Sequence, residues 1–142
     1  MLLKVCGMRE LSNIEALDQL KPDFMGLIFY PKSKRYAGGE DAAAIVKSSG
    51  KLSRVGVFVN ASIDEVIEKV NLFQLTYAQL HGDESVEYVQ QVRSHGIKVI
   101  KVFRIDDEFP EEIERFSGLV DYFLFDTATQ QYGGSGKQFD WI

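Results

Sequence analysis

Six short apolar runs separated by longer amphipathic stretches restrict the fold of this chain more than any other feature of its sequence. Most of these runs are nearly continuous in hydrophobic residues, as strands buried on both faces of a sheet require. Their alternation with amphipathic stretches predicts parallel strands joined by crossover helices. The six predicted strands are Leu2–Val5, Phe24–Phe29, Arg54–Val59, Tyr77–Leu80, Lys98–Phe103 and Tyr122–Phe125.

Helix-start signals occur in the intervals between these strands. Ser12–Glu15 and Ser62–Glu65 each match a capping box, in which a hydroxyl and a glutamate satisfy free backbone amides at a helix start. The helices that begin there are expected to run to about Leu20 and Val70. Three further helices are predicted over Glu40–Ser48, Ser85–Ser94 and Pro110–Phe116.

A length of 142 residues with 45% hydrophobic content predicts one domain over residues 1–142. The apolar runs fall well short of the roughly 20 residues that span a bilayer. A net charge of −5 gives no general attraction to nucleic acid. One cysteine cannot form an internal disulfide, and the first residues lack the long apolar segment of a secretory signal. We therefore expect a cytoplasmic protein with neither a membrane nor a nucleic acid as partner.

Repeated strand–helix units fit two architectures, an open doubly wound sheet and a closed barrel of eight units. An open nucleotide-binding sheet normally has a Gly-x-Gly-x-x-Gly turn after its first strand, but here Val5 is followed by Cys-Gly-Met-Arg. That difference favours the barrel, whereas the count of six strands falls short of the eight that a barrel needs. The pattern alone leaves both architectures open.

Polar and reactive side chains follow the predicted strands at the points where the strands end. In parallel α/β proteins, functional groups collect at the carboxyl ends of the strands. One rim of the sheet is therefore predicted to carry Cys6, residues 30–36, Asn60, residues 81–83, Arg104 and residues 126–127.

Cys6 and Asp126 are the candidate catalytic groups on this rim, and each has a structural alternative. A cysteine acts as a nucleophile or base when nearby positive charge lowers the pKa of its thiol, but a lone cysteine is more often a small buried hydrophobic residue. Asp126 ends an apolar strand, where a carboxylate needs partners, and its alternative is to brace the loop through backbone amides. His81 is expected to form structural hydrogen bonds, because no second residue lies at a metal-ligand spacing.

Two loops could hold an anion. In the basic segment 31–39, the planar guanidinium of Arg35 can bind a carboxylate or phosphate through two hydrogen bonds, and the alternative is a solvated charged loop. Residues 132–137 do not match a phosphate-binding P-loop, because Gln131 stands in place of its first glycine and Gln138 in place of its Ser or Thr. We expect this segment to be a flexible loop or lid over the rim.

Five motifs stand in order along the chain. They are KVCGM at Lys4–Met8, GLIFYPKSKRY at Gly26–Tyr36, VGVFVN at Val55–Asn60, QLHGDE at Gln79–Glu84, and FDT at Phe125–Thr127 followed by YGGSGK and FDW. Together they closely resemble the phosphoribosylanthranilate isomerase family of tryptophan biosynthesis. The resemblance implies a (β/α)8 TIM barrel with about six of its eight units in this chain. In the family, the strands that hold the substrate phosphate and close the barrel follow the FDW motif, and these 142 residues do not include them.

The resemblance implies a reaction as well, the Amadori rearrangement of N-(5′-phosphoribosyl)anthranilate to 1-(2-carboxyphenylamino)-1-deoxyribulose 5-phosphate, without cofactor or metal. Asp126 matches the general acid, which protonates the ribose ring oxygen. Cys6 matches the general base, which takes the C2 proton. Arg35 is expected to pair with the anthranilate carboxylate. The other substrate-binding residues implied are Gly7, His81, Gly133 and Gly134.

Two other functions fit parts of the sequence. A catalytically inactive barrel fragment, acting as a scaffold or binding aromatic carboxylates through Arg35, is consistent with six strands, and the 142-residue chain alone is then expected to show little activity. Exposed edges at the first and sixth strands also predict self-association. A thiol redox function for Cys6 has less support, because the chain has no second cysteine to resolve an oxidised thiol.

Overall fold

The computed structural model describes residues 1–105 and 110–127, in which strands and helices alternate as the sequence predicts. The strands are β1 (Lys4–Cys6), β2 (Phe24–Ile28), β3 (Ser53–Phe58), β4 (Tyr77–Leu80), β5 (Lys98–Ile105) and β6 (Tyr122–Thr127). The helices are α1 (Leu11–Leu20), α2 (Ala42–Ser48), α3 (Ile63–Phe73) and α4 (Val86–Ser94), and a 3₁₀ helix spans Glu111–Phe116.

All six strands are parallel and lie in their order along the chain, from β1 to β6. A doubly wound sheet reverses its strand order at a switch point, and this sheet has no such reversal among the described residues. Each consecutive pair of α-helices is in contact, so the helices cover one face of the sheet as a single layer. The open doubly wound alternative is therefore wrong.

Three aromatic rings show that the sheet is strongly curled. Phe24 on β2 and Tyr77 on β4 have ring centroids 5.5 Å apart, and Tyr122 on β6 lies 6.0 Å from Phe24 and 5.9 Å from Tyr77. In a flat sheet β2 and β6 would be separated by four strand spacings, or about 19 Å. The three rings therefore meet on a concave face, and alternate strands supply them, as in the interior layers of a closed barrel.

The main hydrophobic core lies between the convex face of the sheet and the helices. At its centre Phe29 stacks on Phe58 at a centroid distance of 5.4 Å and contacts Phe73 of α3 at 4.8 Å. Because most strands bury one face here and the other in the concave interior, their sequences are apolar throughout.

Helix capping agrees with the sequence in some places and differs in others. Ser62 and Ser85 cap α3 and α4 through hydrogen bonds from the amides of Glu65 and Tyr88, as the predicted helix starts require. The capping box at Ser12 is wrong, because α1 already begins at Leu11, after Glu10, and leaves the Ser12 hydroxyl inside the helix. The helix predicted over Pro110–Phe116 is a 3₁₀ helix.

Strand β1 begins later than predicted and includes Cys6. The amide of Leu3 donates to Asp23 Oδ2 at 2.7 Å, and the Leu3 carbonyl oxygen accepts a bond of 3.0 Å from the amide of Phe24. Among the described residues, β1 and β6 are the edges of the sheet, and Phe123 and Phe125 are 37% and 41% exposed. Within residues 1–105 and 110–127, no helix has the length and apolar character needed to cross a membrane.

Candidate active site

Cys6 is the last residue of β1, and its side chain is on the concave face. Val5 packs against the core on the convex face, and side chains alternate along a strand. The register places Gly26 opposite Cys6, and a Cβ atom at Gly26 would lie only 2.6 Å from Cys6 Sγ. Gly26 therefore provides the space for the thiol. Because Cys6 is only partly buried, it differs from the fully buried hydrophobic residue of the structural alternative.

Arg35 crosses the end of β1, above the Cys6–Gly7 peptide. Its Nη1 atom donates to the carbonyl oxygen of Cys6 at 3.3 Å. Gly7 has a φ of +85°, and a Cβ atom there would lie 2.5 Å from Nη1. Glycine is needed at this position both for the backbone conformation and for the approach of the guanidinium. The Arg35 side chain remains exposed, so an incoming anion can still reach it.

Asp126 of β6 lies on the concave face, next to His81. Phe123 contacts Phe103 on the convex face, with centroids 5.9 Å apart, so the alternation along β6 places Asp126 on the opposite side. His81 Nε2 is 3.2 Å from Asp126 Oδ2, and the two side chains are 12% and 22% exposed. The other oxygen, Oδ1, accepts a 2.9 Å hydrogen bond from the amide of Thr127, so the loop-bracing contact is also present.

Burial has the largest effect on the pKa of His81 and lowers it. The Asp126 carboxylate raises the same pKa, Arg104 lowers it, and Glu84 raises it slightly. The net shift is downward from the ordinary value of 6.5. The imidazole is therefore uncharged near neutral pH and does not place a full positive charge against Asp126.

The structure thus puts the two candidate catalytic groups on one concave rim, in two separate groups of residues. Cys6, Gly7 and Arg35 lie together at the ends of β1 and β2, and we call this group the thiol side. His81 and Asp126 lie together at the ends of β4 and β6, and we call this group the carboxyl side. The predicted substrate-binding residues Gly133 and Gly134 lie outside the described residues.

Two buried charged residues next to the carboxyl side were not predicted from the sequence. Glu84 and Lys101 form an ion pair of 2.8 Å whose side chains are 1% and 4% exposed. Lys101 stands inside an apolar run, and a charged residue in such a run signals a buried partner. The pattern of one sequence cannot name that partner, because Glu84 lies 17 residues away in another loop.

A cavity of about 430 Å³ adjoins the carboxyl side of the rim. Among the described residues, those that line it include His81, Glu84, Lys101 and Arg104. Neither Cys6 nor any other residue of the thiol side is among them. The cavity therefore lies beside the loop that follows β4, and it is not the space between the two candidate catalytic groups.

Comparison with known proteins decides the family. A family model described as N-(5′-phosphoribosyl)anthranilate (PRA) isomerase matches residues 3–142 of this chain. The chain belongs to the PRA isomerase family. An N-(5′-phosphoribosyl)anthranilate isomerase of Parabacteroides distasonis is 45% identical over 145 residues, an alignment that covers 99% of this chain and 65% of that protein.

Solved structures agree with this family assignment. The crystal structure of phosphoribosyl anthranilate isomerase from Thermotoga maritima superposes with a TM-score of 0.78 at 36% identity, covering 99% of this chain and 69% of that one. A PRA isomerase solved with reduced 1-(o-carboxyphenylamino)-1-deoxyribulose 5-phosphate has a TM-score of 0.71 at 32% identity, covering 90% of this chain and 66% of that one. This chain spans about two thirds of the length of the relatives it matches.

Proposed function

We propose that this chain carries the acid and base of an isomerase that converts N-(5′-phosphoribosyl)anthranilate to 1-(2-carboxyphenylamino)-1-deoxyribulose 5-phosphate. The observation that carries the proposal is the placement of Cys6, Arg35 and Asp126 on one concave rim in a chain that matches the family over residues 3–142. The ligand in the related structure has the carbon skeleton and phosphate of the product. A phosphorylated small molecule is accordingly the proposed substrate class.

Asp126 is the proposed general acid for ring opening. Protonation of the ribose ring oxygen lets its bond to C1 break, and the nitrogen lone pair forms an iminium at C1. His81 Nε2 lies 3.2 Å from Asp126 Oδ2 and orients the carboxyl group at the rim. His81 is thus a positioning residue for the acid in this proposal.

Cys6 is the proposed general base for the second step. The iminium acidifies the proton on C2, so a thiolate of modest basicity is sufficient to remove it. The resulting enolamine becomes the ketone when C1 takes up a proton, and atoms and charge balance over the whole reaction. Arg35 lies above the Cys6–Gly7 peptide and supplies a positive charge beside the base.

Arg35 is the proposed anchor for the anthranilate carboxylate. Its guanidinium is exposed and is oriented by the Cys6 carbonyl oxygen. A planar cationic fork matches a carboxylate better than a point charge does. An anchored carboxylate places the ring and C1 of the substrate next to the thiol side, where the base acts. Gly7, Gly133 and Gly134 are proposed as further contacts with the substrate.

The proposal also covers the domain, its self-association and its location. The curled sheet of six sequential strands corresponds to the first six units of a (β/α)8 barrel. That all of residues 1–142 belong to one barrel domain is part of the proposal. One related structure is that of monomers generated from a dimeric phosphoribosylanthranilate isomerase of Thermotoga maritima. Self-association through the edges at β1 and β6 and a cytoplasmic location both stay predictions.

Turnover of N-(5′-phosphoribosyl)anthranilate by the full-length protein tests the proposed function. The wild-type protein is expected to convert the substrate, and Cys6→Ser and Asp126→Asn to abolish most of the conversion. Arg93→Met is the matched control, because Arg93 pairs with Asp121 before the start of β6, far from the rim. Equal activity in all four proteins, or none in the wild type, would reject the assignment. The alternative of an inactive scaffold predicts the second of these results.

A further inference from the structure

The ion pair between Glu84 and Lys101 is the most deeply buried charged contact described in the structure. Lys101 Nζ donates to Glu84 Oε2 at 2.8 Å. The two side chains are 4% and 1% exposed. Removing two charges from water is costly, and apolar residues of similar volume would often give equal or greater stability. The stability of the fold is therefore a poor explanation for this pair, and its geometry suggests another.

Both members of the pair bind the loop of residues 81–84. Glu84 Oε1 accepts hydrogen bonds from the amides of Asn60 at 3.0 Å and Gly82 at 3.1 Å. Lys101 Nζ also donates to the Gly82 carbonyl oxygen at 2.8 Å. The loop after β4 is thus tied to the end of β3 on one side and to β5 on the other. Apolar residues could fill the same space, but they could make none of these bonds.

This loop carries His81, and His81 reaches Asp126 across β5. Strands β4 and β6 are not neighbours in the sheet, because β5 pairs with both. The amide of His81 donates to the Phe58 carbonyl oxygen of β3 at 2.9 Å, which fixes the start of the loop. The 3.2 Å contact between His81 and Asp126 therefore depends on this bond and on how residues 82–84 are held. The charged groups that act on His81 are Asp126 from β6, Arg104 from β5 and Glu84 from its own loop.

We propose that Glu84 and Lys101 are positioning residues for the general acid, which hold loop 81–84 so that His81 stays against Asp126. The proposal rests on the proposed function in assigning Asp126 as the acid. It goes further in giving a specific task to a buried pair that is not among the proposed acid, base and anchor residues. If the pair acted only on stability, its removal would leave the turnover per folded molecule unchanged.

Kinetics of the full-length protein separate the two roles. Lys101→Met leaves Glu84 buried without its cation, so folding as well as turnover is expected to weaken. The double variant Glu84→Gln/Lys101→Met removes both charges and is expected to recover stability. If the pair positions the acid, kcat of the double variant stays about 10- to 100-fold below wild type, a smaller loss than the roughly 10²- to 10⁴-fold expected when the acid itself is removed. KM changes less than about threefold. Recovery of kcat together with stability would overturn the proposal.

Titration of His81 by NMR tests the positioning role of the pair without a measurement of turnover. The chain has two histidines, and exposed His95 at the end of α4 serves as the internal reference. Asp126→Asn is expected to lower the pKa of His81 in the otherwise wild-type protein, because Asp126 raises it. In the Glu84→Gln/Lys101→Met background, Asp126→Asn is expected to lower the pKa of His81 by less than half as much.

If Asp126→Asn lowers the pKa of His81 equally in the two backgrounds, the pair does not position His81, and the proposal is overturned. Arg93→Met is the control in both experiments, because it breaks a partly exposed ion pair outside the rim. The NMR result holds whether or not the protein is an isomerase. Failure of the proposed function would appear as absent turnover in the wild-type protein, and the two failures are therefore distinguishable.

Discussion

The thiol side and the carboxyl side of the rim are built in different ways. On the thiol side an exposed cation, Arg35, lies on backbone atoms and is bonded to the Cys6 carbonyl oxygen. On the carboxyl side His81 and Asp126 are largely shielded from water and rest on a loop that a buried ion pair holds. One side is open to an incoming anion, and the other is fixed before any ligand arrives.

This difference assigns different tasks to the two sides. An exposed guanidinium can meet a carboxylate at little desolvation cost, so the thiol side is suited to recognition. Charges and dipoles in a shielded site act more strongly than in water, so the carboxyl side is suited to controlling a proton. Substitutions on the thiol side other than Cys6 should therefore change affinity, and those on the carboxyl side should change kcat.

The largest effect is expected from removing the acid or the base. Asp126→Asn and Cys6→Ser should each reduce kcat by about 10² to 10⁴, the usual contribution of one general acid or base. Binding of the reaction product, measured by calorimetry, should survive both substitutions, because neither removes the carboxylate anchor. A variant that keeps wild-type turnover would show that its residue transfers no proton.

A smaller effect, on affinity, is expected at Arg35. Arg35→Lys keeps the positive charge but loses the two-pronged geometry. A hydrogen bond to a charged group is worth about 1.5–3 kcal/mol, so KM and the Kd of free anthranilate should rise roughly tenfold or more. Most of kcat should remain. Unchanged affinity for anthranilate would return Arg35 to the role of a solvated loop residue.

Gly7→Ala should act on stability and on the thiol side together. The backbone at Gly7 has a φ of +85°, and the new Cβ atom would collide with Arg35. Strain in the left-handed region costs about 1–2 kcal/mol, measurable as a lower free energy of unfolding in urea. Gly39→Ala is the matched control, because a Cβ atom at Gly39 meets no atom within 4 Å. An equal loss in both variants would contradict the close approach of Arg35.

The smallest effect is a change in the pH dependence of stability. Because burial lowers the pKa of His81, the unfolded chain binds the proton more tightly than the folded one. The contribution of uncharged His81 to stability is therefore complete above pH 6.5, the ordinary pKa of histidine. It is lost as the pH falls through that value towards the lower pKa of the folded state. His81→Gln should flatten this part of the unfolding profile. His95→Gln, at an exposed position, should leave it unchanged.

Much of the fold followed from the sequence because burial on two faces makes parallel strands apolar throughout. All six strands and the rim positions of Cys6 and Asp126 came from that pattern. The start of α1 did not, because Glu10 takes the N-cap position and Ser12 already lies inside the helix. A capping box is a local signal, and a connection of the same length before α3 does place its serine at the cap.

The contacts within the site were harder to predict than the positions of its residues. Arg35 was expected in a basic loop, but its approach to Gly7 joins residues that are far apart in sequence. Glu84 and Lys101 were missed for a similar reason, because a buried pair is visible only when the loop after β4 and strand β5 have both been placed in space. A pattern of residue types can indicate which strand ends are reactive, whereas side-chain partners depend on how the sheet curls.

The most direct test of separate acid and base sides is the primary deuterium isotope effect on turnover, measured with substrate deuterated at C2. In this account Cys6 removes that proton and Asp126 acts earlier, on the ring oxygen. Cys6→Ser should make proton removal the slow step and give a large isotope effect. Asp126→Asn should make ring opening slow and give almost none. Isotope effects of the same size in the two variants, or the reverse order, would contradict the assignment of the two sides.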